Sequence, residues 1–184
     1  HRISGVLTAR HMKILGAEIT TSLENVVVDT FHVVDEDFSG TVPQGRIDEV
    51  ADSIVKALRK QITVKELFKR HKRYIVDDFS EIMMDLPTRV EIDTETSDKS
   101  TIVLVFAHDQ PGLLYTISRT LFKLELSIDL ARISTHFDQV VDVFYVTDND
   151  GRKITSPEQC ATIRDRLLEE LAEFKSSKHR EFVS

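Results

Sequence analysis

The sequence has few of the residues that build cross-links or membrane spans. It contains one cysteine, Cys160, which cannot form an internal disulfide, and it has no tryptophan. It has no run of about 18 apolar residues, so no membrane-spanning helix is predicted. Its first residues lack the basic, apolar and small-residue segments of a signal peptide. A reducing, cytoplasmic location is therefore the simplest prediction.

Positive charge is also in short supply. The 184 residues carry a formal net charge of −7, so we predict no general affinity for nucleic acid or for an anionic membrane. The basic stretch from Lys65 to Arg73 is interpreted as a solvated helix face. The hydrophobic fraction of 41% is sufficient for a packed core, and the length suits one large domain or two small ones.

Catalytic signatures are missing as well. The seven histidines are scattered, and none pairs with another at metal-ligand spacing. Neither glycine-rich phosphate-binding motif occurs, and His108-Asp109 lacks the further ligands that a metal site needs. We therefore predict no catalytic residue, no metal site and no cofactor in this chain.

An internal repeat is present, and it organises most of the chain. Residues in the second copy match residues 114 positions earlier, across a helix and the start of a strand. After a turn, the matching residues are 113 positions apart. We interpret this pattern as a duplication. The matching pairs are Ile3 and Ile117, Leu7 and Leu121, Ile14 and Ile128, Ala17 and Ala131, Ile19 and Ile133, and then Asp29 and Asp142, Phe31 and Phe144, Val33 and Val146, and Asp35 and Asp148.

The second copy predicts the order ββαββα. Alternating residues 88–94 and an apolar run at 101–107 form two strands, and a helix follows from Leu113 to Leu124. Residues 128–137 and 140–146 form a hairpin. A second helix begins at Ser156-Pro157 and ends near Phe174.

The first copy has the same order without the two leading strands. It predicts a helix to about residue 14, strands at 17–23 and 26–34, and a helix near 44–60. Two short helices, 63–71 and about 74–84, connect the copies, and the fold class is α+β with tandem ferredoxin-like units. The predicted boundaries are a first unit at 1–62 that is truncated at its N-terminus, a helical connector at 63–86, a second unit at 87–175 and a polar tail at 176–184.

Three structural expectations follow from this arrangement. Strand 88–94 should pair with 101–107, giving the order 88–94, 101–107, 140–147, 128–137. Strand 26–34 should have an open hydrogen-bonding edge that something covers. Asp29 and Asp142 should face solvent, because strands alternate between two faces. The alternative is a repeated polar contact at a shared interface or at the edge of a ligand site.

The loop from His108 to Leu114 is the one segment with recognisable binding chemistry. Pro111 suits the first turn of a helix, and Gly112 allows close approach of a ligand. Free N–H groups at a helix start favour a carboxylate, and Asp109 could complement an ammonium group. The alternative is a tight strand-to-helix turn with no ligand.

The loop and its surroundings resemble the ACT domain family, which binds small molecules on a ferredoxin-like fold. Residues Thr101 to Tyr115, Ala131 to Thr135 and Val141 to Val146 resemble the C-terminal ACT tandem of bifunctional uridylyltransferase/uridylyl-removing enzymes. The first copy is similar to the preceding ACT domain through Arg2 to Thr21 and Val28 to Val34.

This resemblance implies a regulatory, non-catalytic piece of such an enzyme. In that family the tandem senses glutamine and controls catalytic domains that act on the nitrogen regulatory protein PII. Gln110 stands where the family usually has arginine, and the first copy's own loop would lie just before His1. The candidate ligand-binding residues are Asp109, Gln110, Pro111, Gly112, Leu113 and Leu114 in the loop, with Leu130, Ala131 and Arg132 on a strand edge as the second wall.

Two other functions remain open at this point. The units could form a structural pairing module, since ACT-type sheets often join edge to edge into homo-oligomers. The chain could also be a stand-alone regulator that acts through a partner protein. Calorimetry with glutamine would separate ligand sensing from pure pairing.

Overall fold

One six-stranded sheet organises the molecule. The computed structural model describes residues 1–21, 26–70, 87–136 and 139–183. Every neighbouring pair of strands is antiparallel, and the strand order is β2-β1-β5-β6-β4-β3. The elements are α1 (Arg2–Ala9), β1 (Met12–Thr21), β2 (Val27–Asp35), α2 (Gln44–Leu58), α3 (Val64–Arg70), β3 (Arg89–Asp93), β4 (Thr101–His108), α4 (Leu113–Lys123), β5 (Ser127–His136), β6 (Gln139–Thr147) and α5 (Pro157–Val183).

The second unit has the ββαββα order that the sequence predicts. β3 and β4 form an antiparallel hairpin, and β4 lies beside β6 rather than beside β5. The predicted order of these four strands is therefore confirmed. Helices α4 and α5 pack against each other and cover the core side of the sheet, which holds Val103, Phe144 and Ala131.

The first helix is shorter than predicted. It ends at Ala9, and residues 12–14 belong to β1, where Met12 lies opposite Asp35. His11 has a φ of 57°, a left-handed conformation that stops the helix. Glu125 at the equivalent place in the second unit has a φ of 58°, so the duplication extends to this backbone detail.

β1 and β5 pair across the two units with near two-fold symmetry. Ala17 lies opposite Ile133, and Ile19 lies opposite Ala131. Since Ala17 is the repeat partner of Ala131, and Ile19 of Ile133, each unit presents the same residues to the other, as in a symmetric dimer interface. We call the region where β1 meets β5 and α1 meets α4 the junction. Both strands also carry an irregularity at equivalent places, between Ile14 and Gly16 and between Ile128 and Leu130.

The helices at the junction are in close contact. The hydroxyl oxygens of Ser4 and Ser118, which are repeat partners, lie 3.4 Å apart, and both side chains are buried. Gly5 on α1 faces the ring of Tyr115 on α4. The lack of a side chain at Gly5 therefore allows the two units to approach closely.

The C-terminal helix is longer than predicted. α5 continues to Val183, so residues 176–184 do not form a separate polar tail up to that point. This segment contains neither proline nor glycine, and lysine, arginine and glutamate are good helix formers. α3 matches the first predicted connector helix, whereas the second, about 74–84, lies outside the described residues.

Candidate functional site

The loop from Asp109 to Gly112 connects β4 to α4 at the junction. Gly112 is the N-cap of α4 and has a φ of 93°, a conformation that glycine adopts without strain. Pro111 therefore precedes the helix and does not lie in its first turn. The N–H of Leu113 donates to the carbonyl oxygen of Gln110 at 3.0 Å, so one donor expected to meet a ligand carboxylate is already used inside the loop.

The loop is connected to the first unit by an ion pair. The Nζ of Lys13 on β1 lies 3.3 Å from a carboxylate oxygen of Asp109. The Lys13 side chain is 46% exposed and the Asp109 side chain 19%. A pair of opposite charges from two units, on the rim of the junction, matches the two charges of an amino acid.

Gly112 is enclosed by side chains from other elements. A Cβ atom at this position would lie 3.4 Å from Phe174 of α5 and 3.9 Å from Thr8 of α1. The sequence alone suggests that valine at Gly112 would block a ligand while sparing stability. The positive φ and these neighbours indicate that valine would also strain the fold, so it is a poor test of binding.

Asp142 is buried, contrary to the expectation that it faces solvent. It is 1% exposed and lies on β6 between Val105 of β4 and Ile133 of β5. Strand alternation places it on the same face as Phe144 and Val146, which is the face that the helices cover. Neither carboxylate oxygen of Asp142 has a hydrogen-bond partner among the described residues.

The repeat partner Asp29 shares part of this environment. Its Oδ1 is buried and has no hydrogen-bond partner in the described part of the chain, so it does not face solvent freely either. Burial raises the pKa of the Asp29 carboxyl. Burial, with a further contribution from the negative charge of Asp109, raises the pKa of the Asp142 carboxyl well above its usual range.

The predicted second wall lies away from the loop. β1 occupies the edge of β5 that the site was expected to use. Leu130 and Arg132 alternate with the fully buried Ala131, so they lie on the sheet face opposite the helices. The structure thus keeps Asp109 to Leu114 in one loop, brings Lys13 to Asp109, and places Leu130, Ala131 and Arg132 on β5, away from the loop.

Sequence reasoning missed Lys13 and placed Asp142 on the wrong face of its strand, for different reasons. Lys13 falls in a segment predicted as helix, and its approach to Asp109 depends on how the two units pair. The burial of Asp142 could have been predicted, since residues two and four positions apart in a strand lie on the same face and Phe144 and Val146 are apolar.

Two negative findings concern the described residues only. Within them, no group of three or more histidine, cysteine, aspartate or glutamate side chains is arranged to hold a metal ion. No helix in the same part of the chain has the length and apolar character needed to cross a membrane.

Comparison with known proteins gives consistent matches. A family model described as an ACR9-like, ACT-like domain matches residues 89–175. The bifunctional uridylyltransferase/uridylyl-removing enzyme of Azospirillum brasilense is 36% identical over 173 residues, covering 94% of this chain and 18% of that protein. The enzyme of the same name from Stutzerimonas stutzeri is 30% identical over 163 residues, covering 88% of this chain and 17% of the relative.

A third relative with this name, from Gluconobacter oxydans, is 30% identical over 92% of the chain. No solved structure matches the chain. The chain spans 18% or less of the length of the first two relatives. Residues 89–175 therefore belong to the ACT-like domain family, and the chain as a whole is a homologue of the ACT region of bifunctional uridylyltransferase/uridylyl-removing enzymes.

Proposed function

We propose that this chain is an amino-acid-sensing regulatory module, with glutamine as the first candidate ligand. Its occupancy would control nucleotidyl transfer and removal by catalytic domains of a longer protein, with PII as the protein substrate. The whole relatives carry both activities in their name, and this chain corresponds to their regulatory ACT region.

The ion pair between Lys13 and Asp109 is the observation that carries the proposal. A zwitterionic amino acid could replace the pair, with its ammonium group on Asp109 and its carboxylate near Lys13. Both residues are partly exposed, so breaking their contact costs little. Because the two charges come from different units, the affinity for the ligand would depend on how the two units are paired.

Replacing Asp109 with alanine is expected to weaken glutamine binding by about 1.5–3 kcal/mol, the usual range for a hydrogen bond to a charged group. Isothermal titration calorimetry with glutamine, glutamate and several other amino acids would measure it.

The matched control is Asp98→Ala, which removes an exposed carboxylate from the β3–β4 loop at the other end of β4. It should bind like the wild type. Equal affinity of wild type and Asp109→Ala would exclude the loop from the site, and absence of binding by the wild type to any amino acid would refute ligand sensing.

A structural pairing role is the second candidate, and the exposed strand β2 favours it. Among the strands that the structure describes, β2 lies at one edge of the sheet and pairs with β1 alone. Its valines are unusually exposed, with Val28 at 60% and Val34 at 48%. The equivalent strand β6 has β4 on its other side, so β2 has the geometry to accept an antiparallel strand.

We expect the chain to associate through β2 as its concentration rises. Val28→Lys should reduce this association, because a lysine on an edge strand opposes strand addition. Sedimentation velocity over a range of concentrations would measure it, with Lys99→Gln on the exposed β3–β4 loop as the control. A wild-type chain that stays monomeric throughout would contradict this expectation.

A further inference from the structure

The part of β1 that carries Lys13 lies outside the ladder that joins the two units. Among the described residues, β1 pairs with β5 from Gly16 to Thr20. Residues Met12 to Ile14 pair with β2, and an irregularity between Ile14 and Gly16 separates them from the ladder. The position of Lys13 relative to Asp109 therefore depends on its contacts with β2 and on the turn that precedes it.

One arginine of α2 holds that turn. The side chain of Arg46 is 10% exposed, and its Nε donates a hydrogen bond to Oδ2 of Asp35 at 2.9 Å. Its Nη2 donates to the carbonyl oxygen of Arg10 and lies 3.3 Å from Oδ2 of Asp37. A single guanidinium thus connects the end of β2, the loop that follows β2 and the turn between α1 and β1.

The two turn residues make further contacts with the same elements. Nδ1 of His11 lies 3.3 Å from both carboxylate oxygens of Asp37, and its carbonyl oxygen accepts a hydrogen bond from the N–H of Glu36 at 3.0 Å. The guanidinium of Arg10 donates to Oγ of Ser53 at 3.1 and 2.8 Å. Residues of α2 and of the loop before it therefore fix both Arg10 and His11. We call this set of contacts the turn network.

The second unit forms its equivalent turn from different residues. Helices α2 and α5 begin 113 positions apart, at Gln44 and Pro157, as the repeat requires. The repeat pairs are Arg10 and Leu124, His11 and Glu125, and Arg46 and Gln159. Glu125 has a φ of 58° and His11 a φ of 57°, so the turn itself does not need the ionic contacts. The unit that has the turn network is also the unit that supplies Lys13, whose repeat partner is Ser127.

We propose that Arg46 is a positioning residue of the ligand site, which holds the turn after α1 and thereby places the ammonium group of Lys13 beside Asp109. This inference rests on the proposed sensing function and deepens it, because it assigns control of the ligand's carboxylate contact to helix α2. Arg46 acts through Lys13. A movement of α2 would therefore change the affinity for the ligand.

A guanidinium suits this role better than an ammonium group. Three nitrogens of Arg46 are used at once, because its Nη1 also lies 3.3 Å from a carboxylate oxygen of Glu49. The planar group holds these partners at fixed angles, whereas lysine has one nitrogen at the end of a flexible chain. Arg46→Lys should therefore keep the charge and loosen the turn.

The test is calorimetry of glutamine and several other amino acids with wild type, Arg46→Lys, Lys13→Gln and the double variant. We expect Lys13→Gln to weaken binding by about 10- to 100-fold and Arg46→Lys by about 5- to 20-fold. In the Lys13→Gln background, Arg46→Lys should cause no further loss, because the contact that it positions is already absent.

The matched control is Arg166→Lys on α5. Arg166 also contacts two carboxylates, those of Glu169 and Glu170, but on its own helix. This variant should bind like the wild type. Thermal unfolding checks that each variant is folded. If Arg46→Lys does not fold, Glu49→Gln takes its place, since Glu49 contacts both Arg10 and Arg46 with a side chain that is 48% exposed. Its loss of about 2- to 5-fold should also vanish in the Lys13→Gln background.

The outcomes separate this inference from the proposed function. If Lys13→Gln binds weakly and Arg46→Lys binds like the wild type, only this inference is overturned. A loss from Arg46→Lys that persists in the Lys13→Gln background would also overturn it, because Arg46 would then act on the fold in general. Unchanged affinity of Lys13→Gln would remove Lys13 from the site and the inference with it. If the wild type binds no amino acid, both the inference and the proposed function are overturned.

Discussion

Replacing Asp142 with valine is expected to stabilise the ligand-free chain by about 1–3 kcal/mol at pH 7, the cost of an unsatisfied buried polar group. Valine suits a strand and continues the apolar row between Val105 and Ile133.

The gain should depend on pH in one direction. The carboxyl of Asp142 has a pKa above its usual value in the folded chain, so the unfolded chain loses this proton near about pH 4 while the folded chain keeps it. The unfolded state is therefore favoured progressively as the pH rises toward the folded pKa. Over that pH range the free energy of unfolding of the wild type should decrease relative to that of Asp142→Val. Above the range the difference should stay constant.

Urea unfolding of both proteins at several pH values between about 4 and 8 would measure the gap. Asp142→Asn is the control, since it removes the titrating group but keeps a buried polar side chain. Its stability should depend on pH as little as that of the valine variant, and its increase in stability over the wild type should be smaller. A constant difference between wild type and Asp142→Val across this range would contradict the assignment of a raised pKa.

Replacing Gly5 with alanine is expected to destabilise the chain by about 1–3 kcal/mol, the usual cost of overpacking. A Cβ atom there would lie 2.6 Å from Cγ1 of Val64 and 2.7 Å from Cδ2 of Tyr115. These contacts are too short, so either α1 or the side chains of Val64 and Tyr115 must shift. The better helix propensity of alanine, about 1 kcal/mol, offsets only part of this cost.

Gly45 is the matched control for this experiment. It also lies in a helix, α2, and a Cβ atom there would have no neighbour within 4 Å. Gly45→Ala should therefore be neutral or stabilise the chain by up to about 1 kcal/mol. Thermal unfolding of both variants would show opposite signs. A Gly5→Ala variant as stable as Gly45→Ala would mean that the junction helices are not held as closely as the structure indicates.

The clearest error of sequence reasoning concerns the face of β6 on which Asp142 lies. Strand alternation was used to predict that Asp142 faces solvent, yet the residues two and four positions further on, Phe144 and Val146, are apolar and buried, so the same alternation places Asp142 inside. Strand geometry is stricter than residue preference, since side chains alternate with a period of two. The alternation was visible in the sequence, and it outweighs the polarity of a single residue.

The order of elements in the second unit, its strand pairing and the duplication were determined by the sequence itself. Hydrophobic periodicity, the Ser156-Pro157 helix start and the repeat offset are local signals that the chain carries in each unit separately. The loop from Asp109 to Leu114 was recognisable for the same reason, because its residue types and their spacing lie within one short segment.

The junction was decided only by the tertiary structure. The contact of Lys13 with Asp109, the loss of the β5 edge to β1 and the enclosure of Gly112 by Phe174 all join segments far apart in the chain. Pairing between the units depends on which strand edges and helix faces meet. The hydrophobic periodicity within one helix or strand carries no information about that pairing. Local pattern therefore predicted each unit, whereas the site between them depends on packing across the junction.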